Sequence, residues 1–195
     1  MKRIIEQIDH GDIKFTLTSD GTLTITPANG IEGTSDTYPH LLSSKNLSLV
    51  KNIETTGTLL FVEGGCESLF SCMDQLQHAD LSHFDTRNAT HMKDMFYGCN
   101  SLSTLDLSHF DTRNVTNMRG MFADCQALQT LDVSHFNTSS VTKMRGMFYG
   151  RLPLPFNPRS VTLRHSQRNE YARDVLWLQL SPDPGRITLR HSQRN

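Results

Sequence analysis

Three histidines recur at one spacing, and their chemistry is the first thing this sequence offers to test. His83, His109 and His135 each precede a phenylalanine, and Asp85 and Asp111 follow the first two by two positions. Because imidazole changes charge near neutral pH and binds metals, a stacked column of these side chains could titrate or hold an ion. The alternative is that they were copied with a repeat without acting, which the asparagine in the third copy favours. We therefore predict no metal site and keep these five residues as binding candidates.

The cysteines have two interpretations. Cys66, Cys72, Cys99 and Cys125 form no closely spaced pair of the kind that holds zinc. Cys99 and Cys125 occupy equivalent positions, where they could be buried thiols, which we favour, or a disulfide between neighbouring units. A disulfide between Cys66 and Cys72 would staple the segment before the repeats.

Composition and motifs exclude several classes of function. No nucleophile-elbow, phosphate-loop, zinc-protease or dinucleotide motif occurs, so we predict a protein that is not an enzyme, with no catalytic residues and no cofactor. The 19 basic and 20 acidic residues leave a net charge of −1, which argues against a nucleic-acid partner. We also predict no membrane span.

The chain contains a tandem repeat with a period of 26 residues. The run DLSHFDTRNATHMKDMFYGC begins at Asp80, DLSHFDTRNVTNMRGMFADC begins at Asp106, and DVSHFNTSSVTKMRGMFYG begins at Asp132. Identity this dense at a fixed offset indicates stacked structural units, each too small to bury its apolar face alone.

Apolar spacing predicts one strand and one helix in each unit. Leucines alternate with polar residues in TLDLS, as in a short strand, and the following apolar positions recur at helical intervals after a cap at Thr112 or Asn114. The predicted fold is an α/β repeat, a leucine-rich-repeat-like solenoid with internal phenylalanine ladders. Helical spacing also places the methionines in the core and not in a binding groove. The predicted core residues are Leu105, Leu107, Phe110, Val115, Met118, Met121, Phe122 and Cys125.

Four segments follow from these patterns. Alternating Ile13, Phe15 and Leu17, the turn Asp20-Gly21, and alternating residues after it predict a β-hairpin. The predicted segments are a hairpin and lead-in at 1–45, an irregular first unit at 46–78, three repeats at 79–150, and an arginine-rich tail at 151–195.

The repeat resembles that of the BspA-like leucine-rich-repeat surface proteins of bacteria, whose units read LxxLDLSxFDTxNVTxMxxMFxGC. Residues 80–150 carry this pattern, and 12–25 and 47–77 resemble the family's N-terminal hairpin and first capping unit. The resemblance implies a secreted or cell-surface protein in adhesion, with a host-matrix or cell-surface protein as partner. The chain shows no export signal and no wall-sorting motif, so this location depends on the resemblance. A passive stalk is the alternative.

The tail also repeats with a period of 26 residues, but its repeated sequence is different. VTLRHSQRN at 161–169 returns as ITLRHSQRN at 187–195, and its codons, read one nucleotide later, permit the preceding repeat. We hypothesise that 151–195 is frame-shifted repeat sequence, irregular in structure, which would make the chain a truncated product without its own activity or leave an uncapped end prone to self-association. Codon choices incompatible with the shifted frame would end this hypothesis.

Overall fold

The computed structural model describes residues 2–30, 32–35, 42–64, 66–129, 131–133 and 135–150. The tail at 151–195, with its predicted irregular structure and frame shift, lies outside these residues. Within them the fold is rich in sheet, with eight strands and one four-residue helix, α1 at Ser44–Leu47.

The chain begins with three antiparallel strands, β1 (Ile4–His10), β2 (Ile13–Thr18) and β3 (Thr22–Pro27). Ile13, Phe15 and Leu17 point to one face and are fully buried, as alternation along a half-buried strand requires. In the turn between β2 and β3, the Asp20 carboxylate accepts a hydrogen bond from the Thr22 N–H at 3.3 Å. Gly21 has a φ of +86° there, a conformation open to glycine without steric cost.

The N-terminal sheet continues into the first unit through parallel strand pairs. β5 (Asn52–Thr55) pairs with β3, and β7 (His78–Ala79) pairs with β5, which gives the order β1-β2-β3-β5-β7. A second sheet is wholly parallel, with the order β4-β6-β8. Its strands are β4 (Glu32–Ser35), β6 (Thr58–Glu63) and β8 (Phe84–Ala89).

On one side of the stack, tight turns of neighbouring units are joined by backbone hydrogen bonds. We call this side the turn column, and it comprises residues 66–73, 92–99, 118–125 and 144–150. The N–H groups of Met118, Gly120, Phe122 and Asp124 donate to carbonyl oxygens of the next unit at 2.7, 3.1, 2.8 and 2.7 Å. The segment at 92–99 donates to 118–125 in the same way. The turn column is therefore a parallel ladder made of turns.

On another side of the stack, buried threonines join neighbouring units. We call this side the threonine column, and it comprises residues 84–90, 110–116 and 136–142. The Thr112 hydroxyl donates to the Asn137 carbonyl oxygen at 3.2 Å and accepts from the Asn137 N–H at 2.8 Å. Thr86 bonds to Asp111 in the same two ways. Here a side chain supplies the bonds that backbone pairing supplies in the turn column.

The predicted strand–helix solenoid is wrong. An α-helix over 115–125 would bond each N–H four residues back, but alternate N–H groups bond to the next unit instead. Gly120 and Asp124 have φ of +61° and +58°, and two left-handed residues four positions apart end any helix. Of the strand predicted in TLDLS, only Thr104 forms a β-bridge among the described residues, whereas the equivalent residues of the unit before it form β7.

The interior is continuous through the units in spite of this. The rings of Phe96 and Phe122 stack at 5.8 Å, those of Phe122 and Phe148 at 5.6 Å, and those of Phe84 and Phe110 at 6.4 Å. Tight turns also return side chains to the interior every three or four residues, which is why the spacing resembled a helix. The eight residues predicted for the core are all buried, with Leu105 the most exposed at 8%.

Candidate binding surfaces

The histidine column is occupied by internal hydrogen bonds. His109 Nε2 lies 2.7 Å from the Leu81 carbonyl oxygen, and His135 Nε2 lies 2.8 Å from that of Leu107. Because a carbonyl oxygen only accepts, each Nε2 must carry a proton and donate it. Each of these two rings therefore joins neighbouring units through its protonated Nε2, and that nitrogen is not open to a metal ion.

His83 differs because no complete repeat precedes it. Its Nδ1 lies 3.2 Å from both the Thr55 and the Ser82 hydroxyl oxygens. Among the described residues, no group of three or more His, Cys, Asp or Glu side chains is placed to hold a metal ion. The histidine column therefore has a structural role, and only its solvent-exposed edge could contact a partner.

Asp85 and Asp111, the other predicted candidates, are paired within their own units. Arg87 Nε donates to Asp85 at 2.8 Å, and Arg113 Nε donates to Asp111 at 3.0 Å. Each arginine hydrogen bond lowers the pKa of its carboxyl. The two arginine side chains are 67% and 72% exposed. Because each is paired with a carboxylate, the pairs present little net charge to a partner.

The cysteines are free thiols, and three of them are buried. Cys99 Sγ donates to the Phe70 carbonyl oxygen at 3.2 Å, and Cys125 Sγ donates to that of Phe96 at the same distance. Burial raises the pKa of the Cys66 and Cys99 thiols, and that of Cys125 to about 12. Since the thiolate is the reactive form, these buried thiols pack and do not react.

A groove of about 440 Å³ lies beside the N-terminal hairpin. Ile5, Asp20, Leu49 and Lys51 are among its lining residues. Asp20 is already paired with Lys2 at 2.8 Å, and this hydrogen bond holds the pKa of the carboxyl well below its usual range. The groove therefore brings together no free acid and base.

The exposed side of the turn column carries aromatic and basic side chains. We call it the turn-column surface and define it by Tyr97, Arg119, Arg145 and Tyr149, of which the two tyrosines are 39% and 73% exposed. The Asp124 carboxylate lies close enough to raise the pKa of Tyr97. Tyrosine and arginine are enriched where proteins bind other proteins, so this surface has the composition of an interface.

Charge is balanced at one end of this surface and basic at the other. In the first two units Glu67 accepts from Lys93 at 2.9 Å, and Lys93 also lies 3.6 Å from Asp94. The equivalent positions in the next two units are Arg119 and Arg145. The later units thus present more positive charge than the first.

A family model described as "Mycoplasma protein of unknown function, DUF285" matches residues 65–164, just over half of the chain. The chain belongs to the DUF285 family. The DUF285 match contains all four segments of the turn column and the three histidines, and the N-terminal hairpin precedes it. No curated protein and no solved structure matches the chain. In the described part of this DUF285 protein, no helix is long and apolar enough to cross a membrane.

Sequence reasoning missed the turn-column surface because it placed these residues on a helix. The signal was present at two positions of each unit. Asp94 is replaced by glycine in the next two units, and Gly98 alternates with Asp124 and Gly150. Glycine and aspartate share a tolerance of left-handed backbone, so their exchange at both positions indicates turns.

Proposed function

We propose that this protein is a non-enzymatic bacterial surface repeat protein that mediates adhesion or protein–protein interaction through its turn-column surface. The observation that carries the proposal is the distribution of polar side chains. The rings of His109 and His135 and the hydroxyls of the threonine column are engaged within the stack. The turn-column surface instead combines exposed Tyr149 and Arg119 with a hydrogen-bonded backbone. Such rigid support lowers the ordering cost of binding.

The resemblance to BspA-like surface proteins supports a host-matrix or cell-surface protein as the partner. A passive spacer is the second candidate, and the regular unit-to-unit hydrogen bonding favours it, because every unit extends the stack in the same way. A truncated product without its own activity is a third, and it depends on the frame shift hypothesised for 151–195.

Binding of the full chain to immobilised extracellular-matrix proteins separates the first two candidates. We expect saturable binding that the double variant Tyr149→Ala, Arg119→Ala weakens by about tenfold or more, since aromatic and arginine anchors dominate interfaces. Arg113→Ala, on the threonine column, is the matched control and should bind like the unaltered chain. Equal loss in both variants would assign the binding elsewhere. Binding that does not saturate on any matrix protein would contradict the proposal and leave the spacer and the inactive truncated product as candidates.

A further inference from the structure

One acid and two bases meet where the first two segments of the turn column are joined. Glu67 Oε1 accepts a hydrogen bond from Lys93 Nζ at 2.9 Å. Glu67 Oε2 lies 3.7 Å from His91 Nδ1. At this joint, a carboxylate on one unit is therefore paired with two basic side chains on the next unit.

The joint between 118–125 and 144–150 has the same backbone register but a different set of charges. The carbonyl oxygen of Lys93 accepts from the preceding unit at 2.8 Å, and that of Arg145 accepts at 3.1 Å. Three basic residues, which we call the basic triad, occupy the equivalent positions, with Arg119 in place of Glu67, Lys143 in place of His91 and Arg145 in place of Lys93. The position that holds the acid at the first joint thus holds a third base here.

The charge of the basic triad is not balanced in the way that it is at the first joint. Neighbouring units place equivalent side chains about 5 Å apart, and like charges that lie opposite each other repel. All three side chains are exposed. Within the part of the chain that the structure describes, neither Arg119 nor Lys143 forms an ion pair with a carboxylate. A carboxylate from another molecule would supply here what Glu67 supplies at the first joint.

We propose that the basic triad binds a carboxylate side chain of an acidic protein segment. This inference rests on the adhesive function proposed above and names the chemistry of the partner that the turn-column surface would take. The planar guanidinium of Arg119 can donate two parallel hydrogen bonds to one carboxylate. Tyr149, which is 73% exposed on the same surface, adds an aromatic ring that can pack against the rest of the segment.

Acidic residues on the same surface favour this partner over a continuous polyanion such as a sulfated polysaccharide. Asp94 lies 3.6 Å from Lys93, and Asp124 is close enough to Tyr97 to raise the pKa of that phenol. A row of sulfates that followed the turn column would pass both carboxylates and be repelled by them. One or two acidic side chains at the basic triad would avoid both.

Binding of two labelled peptides to the full chain, followed by fluorescence anisotropy at low salt, tests the proposal. The probes are Gly-Tyr-Glu-Glu-Tyr-Gly and its counterpart with glutamine in place of both glutamates, each with an amidated C-terminus. We expect the glutamate peptide to bind about fivefold more tightly or better, since exposed ion pairs contribute this much when salt does not screen them. Equal affinity for the two peptides would overturn the proposal, as would binding of heparin without binding of the glutamate peptide.

Two charge-reversal variants locate the effect. Arg119→Glu gives this joint the acid that the first joint has, so it should abolish the preference for the glutamate peptide. Its urea midpoint should stay at or above that of the unaltered chain, because the new carboxylate faces two bases. Arg113→Glu makes the same change of charge on the threonine column and should keep the preference. Retained preference in Arg119→Glu, a lower midpoint for that variant, or lost preference in Arg113→Glu would contradict the proposal.

The peptide experiment and the matrix-binding experiment can fail separately. A preference for the glutamate peptide without saturable matrix binding would support the basic triad as a carboxylate site and leave adhesion without support. Saturable matrix binding without a preference between the peptides would keep the adhesive surface and overturn the acidic partner.

Discussion

The turn column and the threonine column join the same units by different chemistry. In the turn column, backbone N–H groups reach the carbonyl oxygens of the next unit directly. In the threonine column, the Thr112 hydroxyl stands between its own unit and both polar groups of Asn137. The comparison shows that neighbouring units can be hydrogen bonded either directly through their backbones or through one buried hydroxyl per unit. The backbone ladder requires residues with left-handed φ, and the hydroxyl bridge requires threonine.

Removing a ring from the turn column should give the largest loss of stability. Phe122 is fully buried, with stacked rings at 5.8 and 5.6 Å on either side. Phe122→Ala should lower the free energy of unfolding by about 3–5 kcal/mol, because it leaves a cavity between two units. Urea unfolding followed by circular dichroism measures this loss. Tyr149→Ala, at an exposed position of the same column, is the control, and an equal loss in both variants would contradict the ladder as the source.

Two glycines of the turn column separate backbone strain from collision. Both Gly120 and Gly146 have left-handed φ, but a Cβ on Gly120 would lie 2.1 Å from Asp94 Oδ1, and one on Gly146 would meet only Tyr149 Cβ at 3.5 Å. Gly146→Ala should therefore cost roughly 1–2 kcal/mol from strain alone, and Gly120→Ala should cost more.

The double variant Asp94→Ala, Gly120→Ala measures the collision part. It should recover the difference between the two glycine variants in the same urea experiment, after correction for Asp94→Ala alone. No recovery would mean that the Asp94 carboxylate moves aside without cost.

The threonine column should be sensitive to loss of its hydroxyl groups. Thr112→Val keeps the shape of a side chain that is 2% exposed, but it leaves the N–H and C=O of Asn137 without that partner. We expect a loss of about 1–3 kcal/mol in the free energy of unfolding. Thr116→Val is the matched control, since its hydroxyl donates at 3.2 Å to the Thr90 carbonyl, which already accepts the Thr116 N–H. If both variants lose the same amount, the bridging hydroxyl has no special role.

Local patterns predicted the parts of the fold that local physics determines. Ile13, Phe15 and Leu17 alternate before a turn whose Asp20-Gly21 pair is typical of hairpins, and the structure has β2 and β3 there. The period of 26 residues likewise appears as hydrogen bonds such as that between Thr116 and Thr90. Both signals, the alternation with its turn and the repeat period, are each typical of one kind of structure.

The form of the unit could not be read in the same way. Met118, Met121 and Phe122 have the spacing of a helix face, and tight turns bury residues at the same intervals. What decides between them is where the N–H groups find acceptors, and those acceptors lie in the next unit. The histidine column shows the same limit, because the bond from His109 to the Leu81 carbonyl depends on stacking.

The exposed pair of Asp111 and Arg113 should give the smallest effect and a defined pH dependence. The Arg113 hydrogen bond lowers the pKa of Asp111 below its ordinary value of 3.8, so the folded state favours the ionised carboxyl. Its stabilising contribution is present above that ordinary value and is lost as the pH falls through the lowered one. At pH 7, Asp111→Asn should cost roughly 0.2–1 kcal/mol, as for other surface pairs, and it should cost less at a pH below the lowered pKa of Asp111. Asp85→Asn, whose carboxyl pairs with Arg87 in the same way, should repeat this trend in parallel urea titrations. A cost that is equal at both pH values would contradict the ion pair as its source, because the asparagine oxygen can still accept the Arg113 N–H that Asp111 accepts at 3.1 Å.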